Sequence, residues 1–118
     1  IGSPAMNIFE GSLSNQEVFI RHTRIGHGPK LNGPVKIGLR PEHLVQDPNG
    51  TMEIVIQISE PLGANTLLHG KLMTTGDNIT VSIPGVYVPE NKNAKMRFSV
   101  DPVNIHLFDP NSEKRLTE

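Results

Sequence analysis

Between Met52 and Ile58 apolar and polar side chains alternate, placing Met52, Ile54, Ile56 and Ile58 on one face of a strand and Glu53, Val55 and Gln57 on the other. Pro61 removes a backbone donor and Gly63 opens conformations closed to other residues. The ladder should therefore stop and the chain turn at Glu60-Pro61-Leu62-Gly63. A second strand is expected from Asn65, with Leu68 and Leu72 on one side and Leu67, His69 and Met73 on the other. The same alternation marks Glu17 to Ile25, Val35 to Arg40, Asn78 to Ile83 and Met96 to Val100, with a further short stretch from Asn104 to Phe108.

Turn signals separate these stretches: Gly26-His27-Gly28-Pro29, Asn32-Gly33-Pro34, Asp47-Pro48-Asn49-Gly50, Thr74 to Asn78, Pro84-Gly85 and Asp109-Pro110-Asn111-Ser112. Pro41 suits the first position of a single helical turn through Leu44, and Val86 to Ala94 reads as a polar excursion. Helical periodicity is nowhere sustained over three turns. Many short strands at close spacing predict an all-β fold, a small and partly open barrel with at most single-turn helices. Residues 1–16 read as a linker that docks through Met6, Ile8 and Phe9 and then begins a strand, leaving 17–118 as the domain proper. An internal echo, Arg40-Pro41-Glu42-His43-Leu44 against Asp101-Pro102 and then His106-Leu107, suggests two related corners.

Composition narrows the class. A chain of 118 residues makes one modest domain, or two very small ones. Eleven basic against twelve acidic residues leave no global pull toward nucleic acid or an anionic membrane. The absence of cysteine excludes disulfides and thiolate metal sites and fits a reducing compartment. No apolar run approaches the ~20 residues that span a bilayer as a helix. Ile1, in place of an initiator Met, suggests a piece of a longer protein.

Candidate chemistry is sparse. His22, His27, His43, His69 and His106 show no metal-ligand spacing, so surface or hydrogen-bonded histidines are the simpler reading. The phosphate-binding pattern G-x-x-x-x-G-K-[ST] is absent, and Gly26 to Lys30 imitates it only superficially, so no nucleotide hydrolysis is expected of this stretch. Arg40, Glu42 and His43 lack a nearby nucleophile and read as a corner held by charge-assisted hydrogen bonds. Few aromatics, none set in a basic stripe, argue against single-stranded nucleic acid.

Four segments in register, Gly2-Ser3-Pro4-Ala5-Met6-Asn7, Gly38-Leu39-Arg40-Pro41-Glu42-His43-Leu44, Glu60-Pro61-Leu62-Gly63 and Val103 to Asp109, resemble the C-terminal part of the ATP-binding subunits of carbohydrate-type ABC importers, the maltose and sn-glycerol-3-phosphate group. The resemblance implies an OB-like regulatory domain of the TOBE/MOP type, following a nucleotide-binding domain that would carry ATP and magnesium. No cofactor or metal is expected in this piece. Implied partners are a second copy of the chain, its own nucleotide-binding domain, membrane subunits reached through that domain, and a possible regulatory protein, all at the cytoplasmic face of the bacterial membrane. By the same resemblance the dimer or regulatory contact candidates are Arg40, Glu42, His43, Glu60, Leu62, Gly63, Phe108 and Asp109. The alternative is a domain that senses a small oxyanion or metabolite, with a Gly-rich loop and Lys30 or Lys36 as the cradle.

Overall fold

The computed structural model describes residues 4–89 and 91–116. Ile1 to Ser3 of the expected docking segment, Glu90 of the polar excursion, and Thr117 and Glu118 of the tail lie outside the described residues. Ten strands form two five-stranded antiparallel sheets around one core, an all-β, OB-like barrel whose helical content among the described residues is two single 3₁₀ turns.

The two sheets repeat one plan. In the first, β1 (Asn7–Ser14), β2 (Glu17–Ile20) and β3 (Thr23–His27) meander, and β4 (Gly33–Leu39) returns to pair with β1. A 3₁₀ turn, Pro41–His43, then leads into β5 (Leu44–Gln46). In the second, β6 (Met52–Pro61), β7 (Asn65–Leu72) and β8 (Asn78–Pro84) meander, and β9 (Ala94–Val100) returns to pair with β6. Another 3₁₀ turn, Pro102–Asn104, leads into β10 (His106–Phe108). The short fifth strands are exchanged: β5 pairs with β9 of the second sheet, and β10 pairs with β4 of the first.

The internal echo is thus structural, with its register set by the prolines. Arg40 and Asp101 are both extended, with ψ of 137° and 132°, and each precedes a proline that starts the turn. Leu44 and Ile105 then donate back to the carbonyls of Pro41 and Pro102. Pro41 therefore matches Pro102, which sets His43 against Asn104; the repeated His-Leu pairs are not equivalent. The related β2–β3 and β7–β8 turns also meet, through a 2.6 Å contact between the Thr23 and Thr74 hydroxyls and an Arg21–Asp77 ion pair at 3.2 Å.

The core takes Ile20, Ile37 and Leu39 from one sheet and Met52, Ile54, Leu68 and Phe98 from the other, all fully buried. Each such aliphatic side chain contributes about 1.5–3 kcal/mol by leaving water. Three expectations change. Residues 7–14, read as part of a linker and docking segment, form β1, the middle strand of its sheet, with Phe9 and Leu13 buried. Glu17 to Ile25 is not one strand but two, joined at Arg21 and His22. Ile58 does not share the inward face of Ile56, because the pairing runs Ile56↔Gly70 and then Ile58↔His69. Gln57 is the extra residue of a β-bulge, and the reset leaves Ile58 62% exposed.

Candidate interaction site

The β6–β7 hairpin carries the first group of candidate residues. The Leu62 N–H donates to the Asn65 carbonyl at 2.8 Å, which leaves Gly63 and Ala64 at the tip. Gly63 has φ of 83°, a left-handed conformation that a side chain would strain. Pro61 is the last paired residue of β6, opposite Thr66, so the ladder runs to the proline and ends there. Leu62 is 48% exposed and belongs to no core, and Glu60 is exposed as well.

A second segment is sewn to this tip. The Gly85 N–H donates to the Ala64 carbonyl at 2.7 Å, and the Ser59 hydroxyl donates to the Tyr87 carbonyl at 2.7 Å. Buried Thr66 joins both ends of the link: its hydroxyl donates to the Gly85 carbonyl and accepts from the Tyr87 N–H. Val86 and Val88 on this segment are exposed, as are Ile58 and Leu62 on the hairpin. The hairpin tip and the segment 85–88 are thus held in fixed relation, both carrying exposed apolar side chains, with Ile58 on the face of β6 opposite Ser59.

Glu60 leads inward from the hairpin. Its carboxylate contacts His69 Nε2 at 3.1 Å, and His69 Nδ1 lies 3.4 Å from the Thr80 hydroxyl. The Thr80 N–H donates to Asn7 Oδ1 at 2.8 Å, while Asn7 Nδ2 donates to the carbonyls of Thr80 and Leu39. A polar line therefore runs from the central turn across β7 and β8 to β1 and β4, one residue short of Arg40.

The remaining candidates divide between the first corner and β10. Because His106 pairs with Gly38 and Phe108 with Lys36, β10 runs back along β4 and carries Phe108 and Asp109 away from Arg40. Arg40 and Glu42 are exposed, and His43 is half-buried. Phe108 packs over Gly38, where a Cβ would lie 3.0 Å from its ring. Asp109 folds the next turn: its carboxylate accepts the N–H groups of Ser112 and Asn111, at 2.8 and 2.9 Å, which hold its pKa below the usual carboxylate value. Its role in the fold is that of a turn cap.

One basic residue that the motifs did not flag, Arg115, joins His106 here. Arg115 lies opposite Phe108 and places Nη2 at 2.6 Å from His106 Nδ1. Burial lowers the proton affinity of His106, and Arg115, Arg40 and His43 lower it further. Local spacing could not have announced this, since the group assembles only when β10 crosses to the other sheet. Of the groups named for the alternative oxyanion cradle, Lys36 is engaged with Glu113 at 2.9 Å, and the Gly28 N–H is taken by the Gln16 carbonyl at 2.8 Å. Among the described residues there is no group of three or more His, Cys, Asp or Glu that could hold a metal.

A family model described as the MalK OB fold domain matches residues 2–44, which is the first of the two related halves through its proline corner. The sn-glycerol-3-phosphate import ATP-binding protein UgpC of Ruegeria sp. is 44% identical over 119 residues, with 100% of this chain and 34% of that protein covered. The protein of the same description from Ruegeria pomeroyi is 40% identical over 119 residues, with the same coverage. The sulfoquinovosyl glycerol transport ATP-binding protein SmoE of Agrobacterium fabrum is 30% identical over 128 residues, covering 98% of this chain and 35% of that protein. The chain spans about a third of the length of these curated relatives.

Proposed function

Since the chain belongs to the family of C-terminal OB domains of carbohydrate-type ABC importer ATP-binding subunits, we propose that it is their non-catalytic association and regulatory module. Its principal partner in this reading is a second copy of itself, which keeps two ATPase subunits together while their nucleotide-binding domains open and close. ATP and magnesium belong to that other domain, and the membrane subunits are reached through it. The transported substrate is a sugar or sugar phosphate such as glycerol 3-phosphate, and the module works at the cytoplasmic face of the membrane.

The observation that supports this reading is the exposure of four large apolar side chains, Ile58 and Leu62 on the hairpin and Val86 and Val88 on the segment hydrogen-bonded to it. Exposed apolar side chains on stitched segments are what an interface leaves uncovered when its partner is absent. Glu60, exposed on the same hairpin, supplies a polar edge. Sedimentation velocity over a wide concentration range tests it, with an Ile58→Ser, Leu62→Ser variant beside the parent chain. The expected result is reversible dimerisation in the parent and a folded monomer in the variant. Equal association in both would remove these side chains from the interface.

A further inference from the structure

The polar line from Glu60 to Asn7 borders a cavity of about 240 Å³ that opens to solvent. Five hydrogen-bonding side chains from four strands surround it: Asn7 of β1, Gln57 of β6, His69 of β7, and Asn78 and Thr80 of β8. The strand pairing explains why they converge. His69 stands opposite Thr80 in the β7–β8 ladder, and Asn78, two residues from Thr80, shares its face. The β-bulge then adds Gln57 to β6 between the residues paired with Gly70 and His69. Among the described residues no lysine, arginine or carboxylate lines the cavity.

The contacts set what each group offers. A carboxylate only accepts, so Glu60 at 3.1 Å keeps the His69 ring proton on Nε2 and leaves Nδ1 as an acceptor, 3.4 Å from the Thr80 hydroxyl. Asn7 donates both Nδ2 protons, to the Thr80 and Leu39 carbonyls, and its Oδ1 has a lone pair left after accepting the Thr80 N–H. The Gln57 and Asn78 carboxamides are uncommitted: among the described residues neither side chain takes part in a hydrogen bond. Each presents a carbonyl and an NH₂ group side by side. With no cation on the wall and Glu60 behind His69, the cavity does not attract an anion. His69 is its one imidazole, too few ligands for a metal ion. An apolar guest would leave five polar side chains without water or partners.

We infer that this cavity binds a small neutral polyol, either an open-chain one or a sugar ring, through Gln57, Asn78, Thr80 and Asn7, with His69 held as an acceptor by Glu60. A hydroxyl both donates and accepts, which is what neighbouring carboxamide, hydroxyl and imidazole groups answer. The volume lies below the ~300–1,000 Å³ of drug-sized ligand sites and so suits a small molecule. The site adds a ligand to the association module without depending on self-association.

The test is an NMR titration of the side-chain amide signals of this 118-residue chain with glycerol, glucose and glycerol 3-phosphate in separate arms. The expected result is saturable movement of the Gln57 and Asn78 signals at millimolar glycerol or glucose, while the exposed Gln46 amide of β5 stays in place. Tighter binding of glycerol would assign an open-chain polyol, tighter binding of glucose a ring, and equal affinity a diol common to both. Glycerol 3-phosphate should bind more weakly than glycerol, because its charge meets no cation. Gln57→Ala and Asn78→Ala should each weaken binding about fivefold, the loss expected for one neutral hydrogen bond. Both side chains are exposed, so the variants should stay folded, which backbone amide spectra check. Movement that stays linear with concentration, equal movement of Gln46, or tighter binding of glycerol 3-phosphate would overturn the inference. So would saturable binding that survives in the Gln57→Ala, Asn78→Ala double variant, or undiminished binding in both single variants if the double variant is not folded. Sedimentation of the same samples reads self-association separately, so dimers without polyol binding overturn this inference alone.

Discussion

The side-chain amide of Asn7 pairs with the backbone of Thr80 as a neighbouring strand would, accepting its N–H at 2.8 Å and donating to its carbonyl at 2.9 Å. Asn7 opens β1 in the first sheet, whereas Thr80 lies on β8, the edge strand of the second, so one carboxamide bridges the seam between sheets. Its Nδ2 also reaches the Leu39 carbonyl at 3.0 Å, tying the last residue of β4 into the same junction.

Asn7→Ala should therefore destabilise the domain by about 1–3 kcal/mol, the cost of leaving part-buried backbone groups without partners. Asn7→Asp should recover part of that loss, since a carboxylate still accepts the Thr80 N–H but donates nothing. Denaturant unfolding midpoints measure both. An alanine variant as stable as the parent would mean that packing alone holds the seam.

Leu62 separates stability from association. At 48% exposure its truncation should change folding stability by no more than about 0.5 kcal/mol, the usual range for surface substitutions. Sedimentation should show weaker dimerisation for Leu62→Ala. A large fall in melting temperature would instead mean that Leu62 supports the hairpin.

Gly70 is fixed by a close approach within β7. A Cβ there would collide with the Val55 carbonyl on β6 and crowd Ile54. Gly70→Ala should cost about 1–3 kcal/mol, as overpacking a well-filled interior does, and thermal melting would show it. An unchanged melting curve would mean that β6 and β7 separate without penalty.

His106 should make stability depend on pH. Burial first, then Arg115, Arg40 and His43, depress its folded pKa, so the unfolded chain, with a pKa of about 6.5, binds the proton more readily. This contribution is fully favourable above the unfolded value and is lost as pH falls through it toward the folded one. His106→Gln should flatten the slope of unfolding free energy against pH below about 6.5. An identical slope in parent and variant would assign the titration to other groups.

Much of the fold was legible because period-two alternation survives wherever one strand face is buried. Met52, Ile54 and Ile56 show it, and so do Met96, Phe98 and Val100. Hidden were the features set by pairing. The β1–β2 connection is a two-residue turn at Asn15 and Gln16, with φ of 52° and 61°, and Asn-Gln lacks the glycine that usually announces such a turn. The Gln57 bulge turned Ile58 outward because register belongs to two strands and cannot be read from one. In the site, the proline corner and the central turn were visible as motifs, but Arg115 joined His106 only through the path of the C-terminal segment.

The exchange of β5 and β10 bears on how the chain can be divided. A cut at the Asp47 to Gly50 loop would yield two pieces, each carrying a strand whose partner resides in the other: β9 would lack β5, and β4 would lack β10. Neither piece should be a folding unit, yet mixed together they should reassemble by mutual strand donation. Because the pieces share one plan, either alone is also poised to exchange strands with its own duplicate, so the fold carries its own template for fragment complementation.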